Sequence, residues 1–167
     1  ETLGAKVVLA RVPRTIFGIL AGGALGISGT LMQSITRNPV ADPSILGVNT
    51  GASLFVVIGI AYLHISAASQ YIWLAIFGAL LTTLLVYGVA SLGKEGATPL
   101  KLALSGSAVA ITLGSLVSTI MLPNDKVMQN FRFWTVGSIG RATTESIRLF
   151  APFIAVGFLL AMLLASQ

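Results

Sequence analysis

Five times along this chain, about twenty consecutive residues pass without a single charged side chain. The runs fall at about 15–35, 45–63, 71–92, 102–122 and 149–167. At 1.5 Å per helical residue each reaches about 30 Å, the thickness of a bilayer's hydrocarbon core. Transmembrane strands are about half as long and alternate in polarity, and a chain in lipid must satisfy its own backbone. The runs are therefore expected to be helices. Of the 167 residues, 55% are hydrophobic and 9% charged, against roughly 25% charged in a soluble domain. So few polar groups cannot coat a water-facing surface. The expected fold class is an all-α membrane protein: a polytopic helical bundle of about five transmembrane helices in one transmembrane domain over 1–167. The segment 123–148 stands apart. Its FRFWTVGSIG mixes aromatic, basic and glycine residues, which suits an interfacial, extracytoplasmic position with Trp134 at headgroup depth. The chain starts at Glu1 and stops at Gln167 inside an apolar run, and is expected to be a fragment of a longer protein, without a signal peptide.

The chemistry that the runs omit narrows the function. None holds Asp, Glu, Lys, Arg or His, whereas proton- or sodium-coupled carriers usually keep an ionisable group at mid-depth. With no cysteine and with His64 as the one histidine, no metal site is expected. Asp42, Glu95, Asp125 and Glu145 lie in different connections, so no acid–base pair is evident and no catalytic residue is assigned. The stretch GVASLGKE, Gly88 to Glu95, begins like a phosphate-binding loop. That loop needs a strand before it and Ser or Thr after the lysine. Here an apolar helix precedes and Glu95 follows. No cofactor is expected to be bound by this chain, no nucleic-acid partner is expected, and any ATPase would be another chain.

Small residues recur at helical spacing. Gly18, Gly22 and Gly26 form one strip; Gly106, Ala110, Gly114 and Ser118 a second; Gly157, Ala161 and Ala165 a third. Such strips let helices approach closely where no hydrophobic effect drives them together. Packing is the plain reading, and a face kept open toward a passage is the other.

The most particular polar stretch is TRNPVADPS, Thr36 to Ser44. Pro39 and Pro43 cannot continue a helix, and each pushes its predecessor out of the α region. Asn38 and Asp42 are residues that bond their own backbone in turns. A stiff, self-satisfied turn between two membrane helices is expected. Upstream, Pro13 suits the first turn of a helix and would fix where Arg11 and Arg14 point. Both carry planar forks suited to carboxylates, or else anchor the helix at the interface by snorkelling.

The run ARVPRTIFGILAGGALGISGTLMQSITRNPVADPSILGVNTGAS resembles the membrane permeases of ATP-binding-cassette importers for iron-siderophores, haem and cobalamin, the FecCD-type family. That family carries an R-[LV]-P-R start, a G-A-x-L-[AG]-[IL]-S-G-x-x-[ML]-Q helix and an N-P-[LV]-A-[DE]-P-x-[IL]-L-G-[VI] turn. Further on, FWTVGSIGRATTESI resembles its F-W-x-x-G-S-[LI]-x-x-A-[ST]-x-[ED] segment. The resemblance implies roughly helices two to six of a ten-helix permease. It implies a cytoplasmic gate at Asn38, Pro39 and Val40, with a second layer near Thr98 and Pro99. It implies that Arg11 and Arg14 dock an extracytoplasmic substrate-binding protein. It also implies a second permease subunit, identical or paralogous, separate ATP-binding subunits, and multi-pass residence in the bacterial cell membrane.

Charge placement bears on orientation. Alternating sides put Lys6, Arg11, Arg14, Lys126, Arg132, Arg141 and Arg148 together, and Arg37, Lys94 and Lys101 opposite. The positive-inside rule would place the richer side in the cytoplasm. The resemblance places it outside, where a basic rim would steer and dock an acidic binding protein, and that orientation is the one expected. Two other function classes remain open on the residues: a passive channel, which would want more polar rings in the spans, and a membrane scaffold without transport.

Overall fold

The computed structural model describes residues 3–93 and 96–165. Glu1, Lys94, Glu95 and Gln167, which entered the readings above, lie outside the described residues. The described chain is helical throughout: α1 (Leu3–Thr36), a short 3-10 turn (Pro43–Leu46), α2 (Val48–Tyr62), α3 (Ala68–Ala90), α4 (Pro99–Met121), α5 (Asp125–Val136), a second 3-10 turn (Ile139–Arg141) and α6 (Thr144–Ala165). It divides into two compact units, residues 32–136 and residues 1–31 with 137–167.

Among the described residues, four helical stretches are long and apolar enough to cross a membrane: Arg11–Thr36, Ser69–Ala90, Pro99–Met121 and Thr144–Leu163. Large apolar side chains such as Ile19, Leu25, Leu84 and Ile111 stand exposed along them, a surface that water would not tolerate and lipid would. The second expected span differs from the other four. Over 45–63 the structure has a 3-10 turn followed by a helix of 15 residues, about 22 Å long against about 35 Å for α3 and α4. The cause is Gly47, whose φ of 67° is left-handed and breaks the apolar run.

A second correction concerns Pro13. It lies inside α1, not at its start. The residues before it, Leu3 to Val12, are themselves helical. A helix in lipid tolerates one proline because local side chains take up the freed groups. The Thr15 hydroxyl donates to the Arg11 carbonyl at 3.2 Å, two residues beyond the Leu9 carbonyl that the proline leaves without its helical N–H donor.

In the unit 32–136 the core lies between α2, α4 and α5. Val56 and Val57 are fully buried and pack with Ile60, Ile65, Val117, Val127 and Phe131. The segment expected to be interfacial thus contributes a helix whose Val127 and Phe131, four residues apart, share one face. Trp134 packs on this core too, its ring 5.6 Å from that of Phe131. Helices α2 and α3 cross at glycines. A Cβ on Gly51 would sit 2.7 Å from the Gly78 carbonyl oxygen, and one on Gly78 would sit 2.7 Å from the Phe55 ring. In the other unit, Phe17 of α1 meets Phe150 of α6 edge to face at 5.7 Å.

Candidate functional site

The turn after α1 is built from its own side chains. Arg37 closes α1 in the left-handed conformation, φ 50°, and the Asn38 N–H reaches back to the Gln33 carbonyl at 3.2 Å. That is the long bond of a Schellman cap, where glycine is usual. The Asn38 side-chain oxygen accepts from the Val40 N–H at 3.1 Å, and the Asn38 carbonyl accepts from the Ala41 N–H at 3.2 Å. Asp42 is extended and caps the 3-10 turn, accepting from the Ser44 N–H at 2.6 Å. Hydrogen bonding from Ser44, side chain first and backbone second, holds the Asp42 carboxyl below its usual range. Pro43 follows the cap at the first turn position, where no N–H is lost.

This turn is tucked inward. Gly47 lies 3.4 Å from the Gly106 carbonyl and 3.5 Å from the Thr82 methyl, measured from a Cβ built on it. Thr82 precedes the end of α3, and Gly106 follows the start of α4, by about 11 Å of helix. Helix α2 is therefore short because its entry loop occupies the missing length, beside α3 and α4. Met32, Leu46 and Val86 form the cluster beneath it, with Leu102 and Val109 against them. Irregular backbone at such depth persists where protein covers it and its polar groups are paired. Ala41, Leu46 and Gly47 are buried.

The Thr98–Pro99 segment caps α4. Thr98 is extended, its hydroxyl accepts from the Lys101 N–H at 3.3 Å, and Pro99 takes the first helical position. The Lys101 ammonium reaches back to the carbonyls of Gly96, 3.1 Å, and Leu92, 3.4 Å. It closes the loop from inside the helix. Sequence reasoning counted Lys101 as a charge and missed this staple; a lysine in the first turn of a helix that follows a glycine-rich loop was the available signal.

Asn38–Val40 and Thr98–Pro99 belong to turns at the same end of this unit, since α3 ends and α4 begins there. Val40 is 83% exposed. Among the described residues, the hydrogen bonds of each turn stay within it and its own helix. Arg11 and Arg14 are exposed on one face of α1, three residues apart. Of the glycines expected to pack, Gly106 does so against the Ile45 carbonyl, and Gly114 meets only the Thr50 methyl at 3.9 Å. Within their own unit, nothing comes within 4 Å of a Cβ on Gly18, Gly22 or Gly26. Besides Gly106, the tight contacts fall at Gly51, Gly59 and Gly78, which lie outside the expected strips.

A cavity of about 310 Å³ opens at the other end of the unit 32–136, where α2 ends and α5 begins. Ile60, Ala61, Ile65 and Val127 form its floor; His64, Ser66, Asn124, Lys126 and Asn130 form its rim. Among the described residues, no three His, Cys, Asp or Glu side chains cluster as a metal would require.

Comparison with known proteins agrees with this architecture. The model of the FecCD transport family matches residues 3–167. The ferric enterobactin transport system permease protein FepD of Escherichia coli K12 is 42% identical over 99% of this chain and 50% of its own length. The Fe(3+)-citrate import system permease protein YfmD of Bacillus subtilis 168 is 41% identical over 94% of this chain and 46% of its own. A solved transporter assigned to the metal-chelate type of ABC transporters, in an inward-facing conformation, superposes with a TM-score of 0.75 at 23% identity, covering 88% of this chain and 46% of that one. The chain belongs to the FecCD transport family. It spans about half the length of the relatives it matches.

Proposed function

We propose that this chain forms part of the translocation wall of a permease subunit in an ATP-binding-cassette importer of the bacterial cell membrane, with an iron chelate as cargo. The observation that carries this reading is the 42% identity to a ferric enterobactin permease over nearly the whole chain. The charge-free spans fit a path that grips its cargo weakly. Affinity then belongs to an extracytoplasmic binding protein, docked at Arg11 and Arg14, and energy to separate ATP-binding subunits. Alternating access needs only that these partners bind two states of a paired permease unequally. The Asn38–Val40 turn and the Thr98–Pro99 cap close the cytoplasmic end of the path in this scheme. Both are rigid by construction, which is what a closing element requires.

Uptake of radiolabelled ferric enterobactin and ferric citrate tests the reading, in cells carrying the intact permease that contains this chain. Loss of one of these uptakes on deletion is expected. Unchanged uptake of both would remove the iron-chelate assignment. The double substitution Arg11→Glu, Arg14→Glu should abolish uptake while the ATP-binding subunits still assemble. Normal uptake by that variant would remove the docking role.

A further inference from the structure

The cavity between the end of α2 and the start of α5 lies apart from the gate and docking residues assigned above, although its Lys126 belongs to the same basic side as Arg11 and Arg14. Its floor is core: Ile60, Ile65 and Val127 are each less than a tenth exposed. Its rim is made of donors. The Asn124 side-chain oxygen is already used, accepting from the N–H groups of Lys126 at 3.1 Å and Val127 at 3.3 Å, so its amide NH₂ is what it offers a ligand. Asn130, Ser66 and His64 add polar groups, and the Lys126 ammonium adds a full charge. No carboxylate lines the cavity, and among the described residues Lys126 makes no ion pair. A cation would find no ligand here, and an anion would find several.

Depth decides what kind of anion. The apolar run of α4 ends at Met121, and α5 starts at Asp125. The cavity therefore lies where a spanning helix leaves the hydrocarbon, with its apolar floor toward the core and its charged rim beyond. A ligand matched to both halves is an amphiphile with an anionic head. The Lys126 ammonium can hold a phosphate by a charge-assisted hydrogen bond, and the apolar floor can cover the carbons beneath it. The volume stands at the lower end of the roughly 300–1,000 Å³ usual for small-molecule sites, enough for a head group and the first carbons below it.

We propose that this cavity binds the head group of an anionic phospholipid, its phosphate on Lys126 and the Asn124 and Asn130 amides, its glycerol carbons on Ile60 and Ile65. The site rests on the geometry of this unit and stands whether or not the cargo is an iron chelate.

Native mass spectrometry of the intact permease that contains this chain, in detergent and titrated with short-chain phosphatidylglycerol or phosphatidylcholine, tests it. Phosphatidylglycerol should bind more tightly. Lys126→Gln should weaken that binding about tenfold or more, the loss of one charge-assisted hydrogen bond. Arg132→Gln removes the same charge from the same helix outside the cavity and should change it less than about twofold. Asn130→Trp keeps the charge and fills the mouth, and should weaken binding as Lys126→Gln does. Equal losses in Lys126→Gln and Arg132→Gln, or no loss in Asn130→Trp, would reduce the effect to general surface charge and overturn the site. Displacement of the lipid by millimolar inorganic phosphate would overturn the amphiphile and leave a simple phosphate site. Protection of Lys126 from acetylation by an acidic binding protein, and not by phosphatidylglycerol, would assign the cavity to docking instead.

Discussion

Gly106 is the position where one methyl group should do the most damage. A Cβ built there clashes with the Ile45 carbonyl oxygen and lies 3.0 Å from both the Ile45 carbonyl carbon and the Leu46 Cα. Carbon and oxygen ordinarily approach to about 3.3 Å, so Gly106→Ala must separate the tucked turn from α4 by about 1 Å or more. The obstacle is backbone, which cannot rotate away as a side chain can. The turn behind it is held by Pro39, Pro43 and the Asp42 cap. Overpacking of a filled site costs about 1–3 kcal/mol, and this contact belongs at the upper end. For a chain of this size that lowers the melting temperature by roughly 5–10 °C. Gly114→Ala is the control on the same helix and in the same strip. Its new methyl would face only the Thr50 methyl at 3.9 Å, and a helical glycine replaced by alanine gains about 0.5–1 kcal/mol. Thermal unfolding in detergent, followed by far-UV circular dichroism, compares the two. A Gly106→Ala melting point within about 1 °C of Gly114→Ala would refute the tucked turn.

Lys101→Met removes the ammonium that joins the Leu92 and Gly96 carbonyls. Amide exchange in residues 91–93 and 96–98 should then accelerate roughly tenfold, while α3 and α4 keep their protection. The Asp42 carboxyl is depressed in the folded turn, so its contribution is complete above the ordinary value of 3.8 and is lost as pH falls through the lower folded value. An acid titration of turn order, read from a probe at Val40, should show that loss in the wild type and no such step in Asp42→Asn. Single cysteines placed at Ser66 and Thr98 test orientation through a membrane-impermeant thiol reagent. Ser66 should label from outside the cell and Thr98 should not, and the reverse pattern would remove Arg11 and Arg14 from docking.

The local chemistry of the turn from Thr36 to Ser44 was legible because proline and Asx residues act within a few residues of themselves. Asn38 and Asp42 bond the backbone two residues on, as their types and neighbours require. The shortness of α2 was not legible. The apolar run from Ile45 to Leu63 shows no break, and what ends it is a tertiary seat: Gly47 turned left-handed against Gly106 and Thr82. The same limit applies to the glycines. Spacing makes Gly18, Gly22 and Gly26 as good a strip as Gly106 and Gly114, and nothing local says that Gly51 and Gly78 form the close crossing of α2 on α3. Pro13 was misread because a rule drawn from helices in water was applied to one in lipid. Helix α5 could have been found, since Val127, Phe131 and Trp134 recur at helical spacing. The aromatic and glycine content of that segment outweighed the period.

The seat on Gly106 has a mechanical corollary. Helix α4 begins with Thr98 and Pro99 and, about two turns on, carries the loop that holds Asn38, Pro39 and Val40. The two turns are therefore linked mechanically through α4. The Asn38 turn keeps its stem on α1, but a tilt of α4 that carried Thr98 would also press on the seat of the loop that follows Asn38.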